Sequence, residues 1–525
     1  MLPRRPILTK FLYCLNKILT ITVNIIFNIF TRRIFMKKKF VFVFLFIFVF
    51  HALYAAPARE NPARNGSVAM QGQAKYVFLF IGDGMSMAQI NAAEVFSTAR
   101  RSSDIEISRL RFTQFPVAGL TTTHDAGTFI TDSASAGTAI AAGRKTLSGV
   151  INMDPGRTQR FKNIAQYASE AGRKVGLVTT VTLNHATPAS FYGSVPSRGD
   201  LYDLGVQLAN SSIDYIAGGA LAQRRGRNGD QRDAIEIAVS NGFTYVDTRA
   251  GFDALRPGAG RVIKVNEVLQ DSESMPYEID RRSGDLSLAD LTRKGIELLD
   301  NPNGFFMMIE SGKIDWAGHA NDAGANIHDM LAFDAAIAAA LDFANRRPNE
   351  TLIVVTGDHE TGGMTIGFAG TQYDTFFDRI ALQTRSYVAF DEEILKPYKA
   401  RAGAANARLA DLLPAIRESF GIDYDSLTAV QKQEVEFAFQ RSMGNQQVRS
   451  FAEDQYLLYG GYEPLTVKLT QIMNQTAGIG WTSFAHTGVP VPTFAYGIHQ
   501  EIFGGYYDNT DIFFKLASAM NLRVN

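Results

Sequence analysis

Four stretches of the chain run apolar for about the length of a strand, and each gives way to a polar cluster. Tyr76-Val77-Phe78-Leu79-Phe80-Ile81 stops at Gly82-Asp83-Gly84, and Lys174-Val175-Gly176-Leu177-Val178-Thr179-Thr180 leads into Asn184-His185-Ala186-Thr187-Pro188. Phe305-Phe306-Met307-Met308-Ile309 runs into Glu310, and Thr351-Leu352-Ile353-Val354-Val355-Thr356 into Gly357-Asp358-His359-Glu360. Apolar runs without polar alternation predict strands buried on both faces, as in a parallel sheet covered by helices. Apolar residues recur at helical spacing over Met85–Phe96, Lys162–Ala171, Leu288–Leu299 and Asn326–Phe343. From Gly370 this rhythm yields to a tyrosine- and charge-rich stretch, read as an insertion over 370–480 with helices at Leu409–Ser419 and Ala429–Arg441, before Val491–Tyr496 resumes the sheet. No internal repeat is present. The pattern predicts an α/β fold with a mostly parallel central sheet, helices on both faces and a helical insertion over one rim. In such sheets ligands bind beyond the carboxyl ends of the strands, so Asp83, Thr187, Glu310 and Asp358 are expected on that rim.

The first 55 residues follow another rule, with nine basic residues and no acidic one. Met36-Lys37-Lys38-Lys39 followed by the apolar run Phe40–Phe50 has the basic and apolar regions of a secretory signal, here 36–56, with cleavage near Ala55 or Ala56. The alternative is an uncleaved membrane anchor, because Leu53 or Tyr54 stands where cleavage prefers a small residue. Residues 1–35 are expected to lie upstream of a true start at Met36, and 57–74 to link the signal to a folded domain over 75–525. The protein is thus expected to be exported, to the periplasm or beyond the cell, with no stable membrane association once the leader is cut.

At 525 residues, 46% hydrophobic and 20% charged, the chain can bury a large core. Its 52 basic residues balance 52 acidic ones, but loss of the leader leaves 43 against 52. An acidic mature protein argues against nucleic acid as a partner, and an anionic substrate would need local cations. The one cysteine, Cys14, leaves with the leader, so neither disulfides nor thiol chemistry are expected of the mature chain.

Thr131-Asp132-Ser133-Ala134-Ser135-Ala136-Gly137-Thr138 runs straight into Ala139-Ile140-Ala141-Ala142-Gly143. This has the form of a helix N-terminus, whose free N–H groups favour an anion. Read alone, Asp132 or Ser133 only caps the helix; Ser133 becomes a nucleophile where metals or a base reach its hydroxyl. In Glu310-Ser311-Gly312-Lys313-Ile314-Asp315-Trp316-Ala317-Gly318-His319, Asp315 and His319 are four apart, on one face of a helical turn. Each of these stretches, like Asp358-His359 or His486 in its glycine-containing loop, is ordinary by itself. Together they bring four of the eight histidines, His185, His319, His359 and His486, to one sheet edge. Zinc takes histidine nitrogen and aspartate oxygen, whereas magnesium prefers hard oxygens. Asp315, His319 and His486 would make one zinc site. Asp358 and His359, with Asp83 and the Ser133 oxygen, would make another, and Asp83, Thr187 and Glu310 would hold magnesium, Asp83 bridging the two.

Through Gly82-Asp83-Gly84-Met85, Thr131-Asp132-Ser133-Ala134, His185-Ala186-Thr187-Pro188, Glu310 to His319, Thr356-Gly357-Asp358-His359 and His486-Thr487-Gly488, the sequence resembles the alkaline phosphatases over roughly residues 75–505. The resemblance implies a three-layer α/β sandwich, two zinc ions and one magnesium, and hydrolysis of phosphate monoesters to an alcohol and inorganic phosphate with Ser133 phosphorylated during turnover. It implies a homodimer. It also implies a phosphate clamp thirteen residues after His185, at Arg198, which by itself reads as a surface loop residue; its planar fork suits two phosphate oxygens. Two positions beside these residues vary within the family. Trp316 stands where other members carry a lysine or histidine able to reach the phosphate, and His185 where some bacterial members have an aspartate near the magnesium. The rival readings are a relative on the same scaffold that cleaves diesters, phosphonates or sulfates, and a secreted phosphate- or metal-binding protein without turnover.

Overall fold

In a computed structural model of the chain, which describes residues 72–99, 107–444 and 453–524, Tyr76–Gly82 (β1) lies near the middle of a ten-stranded sheet. The signal at 36–56 and the segment upstream of it lie outside the described residues, as does most of the linker. The further strands are Val117–Thr122 (β2), Lys174–Thr179 (β3), Tyr215–Gly218 (β4), Phe243–Val246 (β5), Arg261–Val265 (β6), Phe305–Ser311 (β7), Thr351–Gly357 (β8), Glu360–Thr361 (β9), Thr365–Ile366 (β10), Ile479–Gly480 (β11), His486–Thr487 (β12), Val491–Gly497 (β13) and Gly505–Asp508 (β14). The main sheet has the order β14-β2-β13-β8-β1-β7-β3-β4-β6-β5. Its pairs are parallel except those of β13, which runs antiparallel to β2 and β8.

Successive side chains of β1 point to opposite faces, and each face has its own core. Phe78 and Phe80 join one, and Val77, Leu79 and Ile81 the other. The helices that cover them include Met87–Ala99 (α1), Ser133–Ala142 (α2), Ile164–Glu170 (α3), Leu288–Leu299 (α4), Lys313–His319 (α5), Ala323–Arg346 (α6), Leu413–Phe420 (α7), Ala429–Met443 (α8), Pro464–Ala477 (α9) and Asn509–Ala519 (α10). Residues of α1, α4 and α6 pack on the Phe78 face, and those of α2, α3 and α10 on the other. The fold is therefore a mostly parallel α/β sheet between two helical layers.

β10 pairs with β11, so the chain leaves and returns at one point, and the intervening stretch is mostly helical. Ile416 of α7, Val435 of α8 and Leu469 of α9 belong to the Phe78-side core, so this stretch extends an existing core. Among the described residues no helix is long and apolar enough to cross a membrane.

Register positions the site. Ile81 of β1 is level with Glu310 of β7 and Thr356 of β8, and Glu310 with Thr179 of β3. The residues that follow, Asp83 and Asp358 among them, emerge side by side at the carboxyl ends. Away from the main sheet, β12 pairs with β9 so that His486 faces Thr361, two residues beyond His359.

Candidate active site

Asp132 is the N-cap of α2. Its Oδ1 accepts the Ser135 amide at 3.0 Å and the Ser135 hydroxyl at 2.7 Å. Capping thus belongs to Asp132, and Ser133 occupies the first helical position with its hydroxyl uncommitted to the cap. Ser133 is buried, with its Oγ 3.3 Å from His359 Nε2. The second oxygen of Asp132 accepts from Arg198 Nη1 at 2.9 Å, and Arg198 Nη2 donates to His185 Nε2 at 3.0 Å. Burial works against the Asp132 charge, but Arg198 and the Ser135 amide outweigh it and bring its pKa down to about 2. Burial and the Arg198 charge push His185 down to about 3, so its ring is neutral and accepts the guanidinium proton.

The strand ends and α5 supply three overlapping groups of ligand atoms. His359 Nε2 lies 3.4 Å from Asp83 Oδ1, 3.3 Å from Asp358 Oδ2 and, as above, beside Ser133. His319 Nε2 lies 3.4 Å from Asp315 Oδ2 and 3.1 Å from His486 Nε2, which is 3.6 Å from Asp315 Oδ1. Thr187 Oγ1 donates toward Asp83 Oδ2 at 3.5 Å, and Glu310 accepts the Thr179 hydroxyl. Ligand atoms lie within 4.8 Å of one another in each of Asp315-His359-His486, Asp83-Asp358-His359 and Asp83-His185-Glu310. His319 adjoins two members of the first set. The ten sequence-predicted residues from Asp83 to His486 are thus in one place.

Three observations show that this set fits divalent cations. His319 Nδ1 and His486 Nδ1 sit 2.7 Å and 2.8 Å from the carbonyl oxygens of Phe484 and Thr131. A carbonyl only accepts, so each Nδ1 carries a proton and each ring turns its Nε2 toward the other, the orientation of metal-ligating histidine. Asp83 Oδ1, Asp358 Oδ2 and Glu310 Oε1 are buried without a hydrogen-bond partner. Burial and the carboxylates around it push Asp83 upward, and burial first of all raises Asp358 to about 8 and Glu310 to about 7. Carboxylates so placed ionise readily only beside a cation. Burial also opposes the charges of Asp315 and His319, yet their mutual attraction wins, holding Asp315 well below the usual range and raising His319 to about 9.

A sequence profile of the family described as "Alkaline phosphatase" matches residues 74–522. The chain belongs to the alkaline phosphatase family. Alkaline phosphatase 3 of Bacillus subtilis (strain 168) is 31% identical over 488 residues, covering 91% of this chain and 96% of its own length. The crystal structure of a cold-active alkaline phosphatase from a psychrophilic Shewanella is 28% identical, with a TM-score of 0.69 over 85% of this chain and 99% of that one. A mutant of the alkaline phosphatase from the Antarctic bacterium TAB5, solved with magnesium bound, is 26% identical with a TM-score of 0.59 over 86% of this chain and 99% of that one. Family and relatives together make this chain a phosphomonoester hydrolase.

The active-site cleft of this alkaline phosphatase holds about 300 Å³ and is lined by Ser133, His185, Arg198 and Trp316, among others. Several of its neighbours have no motif in the sequence. The Thr361 hydroxyl donates to Asp315 Oδ1 and lies 3.3 Å from His359 Nδ1. Thr361 follows His359 by two residues, a spacing that would have flagged it had the short strand been legible. Asp271, Tyr387 and Tyr462 also line the cleft, and the two tyrosines come from the stretch between β10 and β11.

Proposed function

We propose that this alkaline phosphatase hydrolyses phosphate monoesters through a phosphoserine at Ser133. Two zinc ions would be held by Asp315, His319 and His486 and by Asp83, Asp358, His359 and the Ser133 oxygen, and one magnesium by Asp83, Thr187 and Glu310. The observation that carries this is the juxtaposition of the Ser133 hydroxyl and the Arg198 fork, which line one cleft, with three groups of ligand atoms at and beneath its floor. Nitrogen and carboxylate donors suit zinc, and the hydroxyl and carboxylate oxygens of the third group suit magnesium. A ring nitrogen of His185 belongs to that third group and adds one softer donor to it. Divalent ions bound there supply positive charge for the phosphate dianion and lower the pKa of the serine hydroxyl.

The residues of the chain do the rest. Arg198, aimed by Asp132 and His185, takes two phosphate oxygens, and the N-terminus of α2 faces the same anion. Ser133 gives up its proton to solvent as the Oγ–P bond forms and the ester P–O bond breaks, and the departing alkoxide takes a proton from solvent. Water then breaks the Oγ–P bond and releases inorganic phosphate. Two in-line displacements retain configuration at phosphorus. The leader sequence supports export of the mature enzyme.

Kinetics of the mature protein test this reading. Loaded with zinc and magnesium, it is expected to cleave p-nitrophenyl phosphate at least about a hundredfold faster than the corresponding diester, to lose activity on chelation, and to regain it on readdition of both metals. A preference for the diester, or turnover indifferent to chelation, would contradict it.

A further inference from the structure

The phosphoryl group has its partners in Ser133, Arg198 and the ligand groups, but the cleft is built further than that. Trp316, Tyr387 and Tyr462 line it as well. Trp316 and Tyr462 are only partly buried, and both rest on a small apolar cluster containing Tyr277 and Tyr387 that is separate from the two sheet cores. The rings are braced against one another. Tyr387 meets Tyr277 edge-on at 5.7 Å, their hydroxyls 3.0 Å apart, and Tyr462 meets Tyr387 at 5.6 Å with planes at 88°. Trp316 meets His185 edge-on at 5.8 Å.

Lys313 is fully buried against this assembly, with its Nζ 3.8 Å from the centre of the Tyr277 ring and 4.5 Å from that of Trp316. Its carboxylate partner is Asp271, at 3.1 Å. Asp271 opens a run of three left-handed residues, with φ of 40° at Asp271, 57° at Ser272 and 64° at Glu273. For residues with a Cβ such conformations cost on the order of 1 kcal/mol each. The ion pair with Lys313 and the Tyr277 hydroxyl, 3.3 Å from the same Asp271 oxygen, tie this turn to the cleft. The aromatic wall is thus held by a buried cation and a strained turn.

Transfer of a phosphoryl group requires none of this. What remains of a monoester is its alcohol, and braced, part-exposed tryptophan and tyrosine rings bind planar rings by stacking and edge contacts at little entropic cost. We infer that Trp316, Tyr387 and Tyr462 form a leaving-group subsite that selects monoesters whose alcohol carries a planar aromatic ring. The inference rests on the phosphomonoester reading above and names its substrate class.

Non-hydrolysable phosphonates test the subsite without the electronic advantage of an aryl leaving group. Phenylphosphonate and methylphosphonate are compared as competitive inhibitors of the metal-loaded enzyme, at a pH where both are dianions. The wild-type enzyme is expected to bind the phenyl compound about tenfold more tightly, Tyr462→Ala to bring the ratio of inhibition constants close to one, and Tyr462→Phe to keep it. Trp316→Leu is expected to lower the ratio too, a second reading should Tyr462→Ala fold poorly. A wild-type ratio near one, or an unchanged ratio in both Tyr462→Ala and Trp316→Leu, overturns the subsite and leaves the phosphatase reading intact. Failure of both phosphonates to compete overturns the phosphatase reading, and the subsite with it.

Discussion

Replacing Ser133 with alanine is expected to lower kcat by about ten-thousand-fold or more and to remove all covalent phosphate from the protein. The expectation follows from the division of labour at the start of α2. Asp132 caps the helix through its own carboxylate and holds Arg198 with its other oxygen, so neither the helix nor the placement of Arg198 depends on the Ser133 side chain. The substitution deletes one oxygen, 3.3 Å from His359 Nε2, and leaves Asp83, Asp358 and His359 in place. Metal content should therefore stay near the wild-type value while chemistry stops. Acid quenching during turnover of a labelled monoester checks this, since wild-type protein is expected to carry the label on Ser133 and Ser133→Ala to carry none. Label on another residue, or activity within tenfold of wild type, would remove Ser133 from the role proposed.

Asp83→Ala is expected to cost more metal and more activity than substitution of a ligand that belongs to a single group. Asp83 belongs to two of the three groups, its Oδ1 facing His359 and its Oδ2 facing Thr187. His486 belongs to one. On the three-ion reading, Asp83→Ala should retain about one ion per chain and His486→Ala about two, with activity of the former down by about a thousandfold or more. The turn that carries Asp83 should survive, because the Asp83 side chain does not hold it, and the Met85 amide donates to the Gly82 carbonyl at 3.1 Å. Gly84 adopts φ of 75° and donates its amide to Asp358 Oδ1 at 3.2 Å, and a Cβ there would come within 2.7 Å of Asp315 Cα. Elemental analysis of the two purified variants decides the matter. Equal metal loss in both would show that Asp83 does not bridge two sites.

What the sequence reveals of this protein depends on how locally each feature is encoded. β1, β7 and β8 are legible because strands buried on both faces are apolar throughout, and their polar continuations stand out against them. β2 escapes because exposed and buried residues mix along it, and β4 and β5 because four residues carry too little pattern. Asp315 and His319 can be paired from spacing, since α5 puts both on one turn. His486 cannot, as it reaches the site through a two-residue ladder with β9 that leaves no periodicity. Arg198 has no local signal at all; only the family resemblance points to it, and its aim comes from Asp132, 66 positions earlier in the chain. Tyr387 and Tyr462 arrive from a helical stretch without a motif, so their presence in the cleft is a product of packing.

The central claim is that residues scattered from Asp83 to His486 hold divalent metal beside the Ser133 hydroxyl. Anomalous X-ray diffraction from crystals of the zinc-loaded mature protein, recorded on both sides of the zinc edge, tests it most directly. The account predicts one peak among Asp315, His319 and His486 and a second among Asp83, Asp358, His359 and Ser133. A zinc-loaded crystal with no peak at these residues, or with zinc bound only elsewhere, would contradict it.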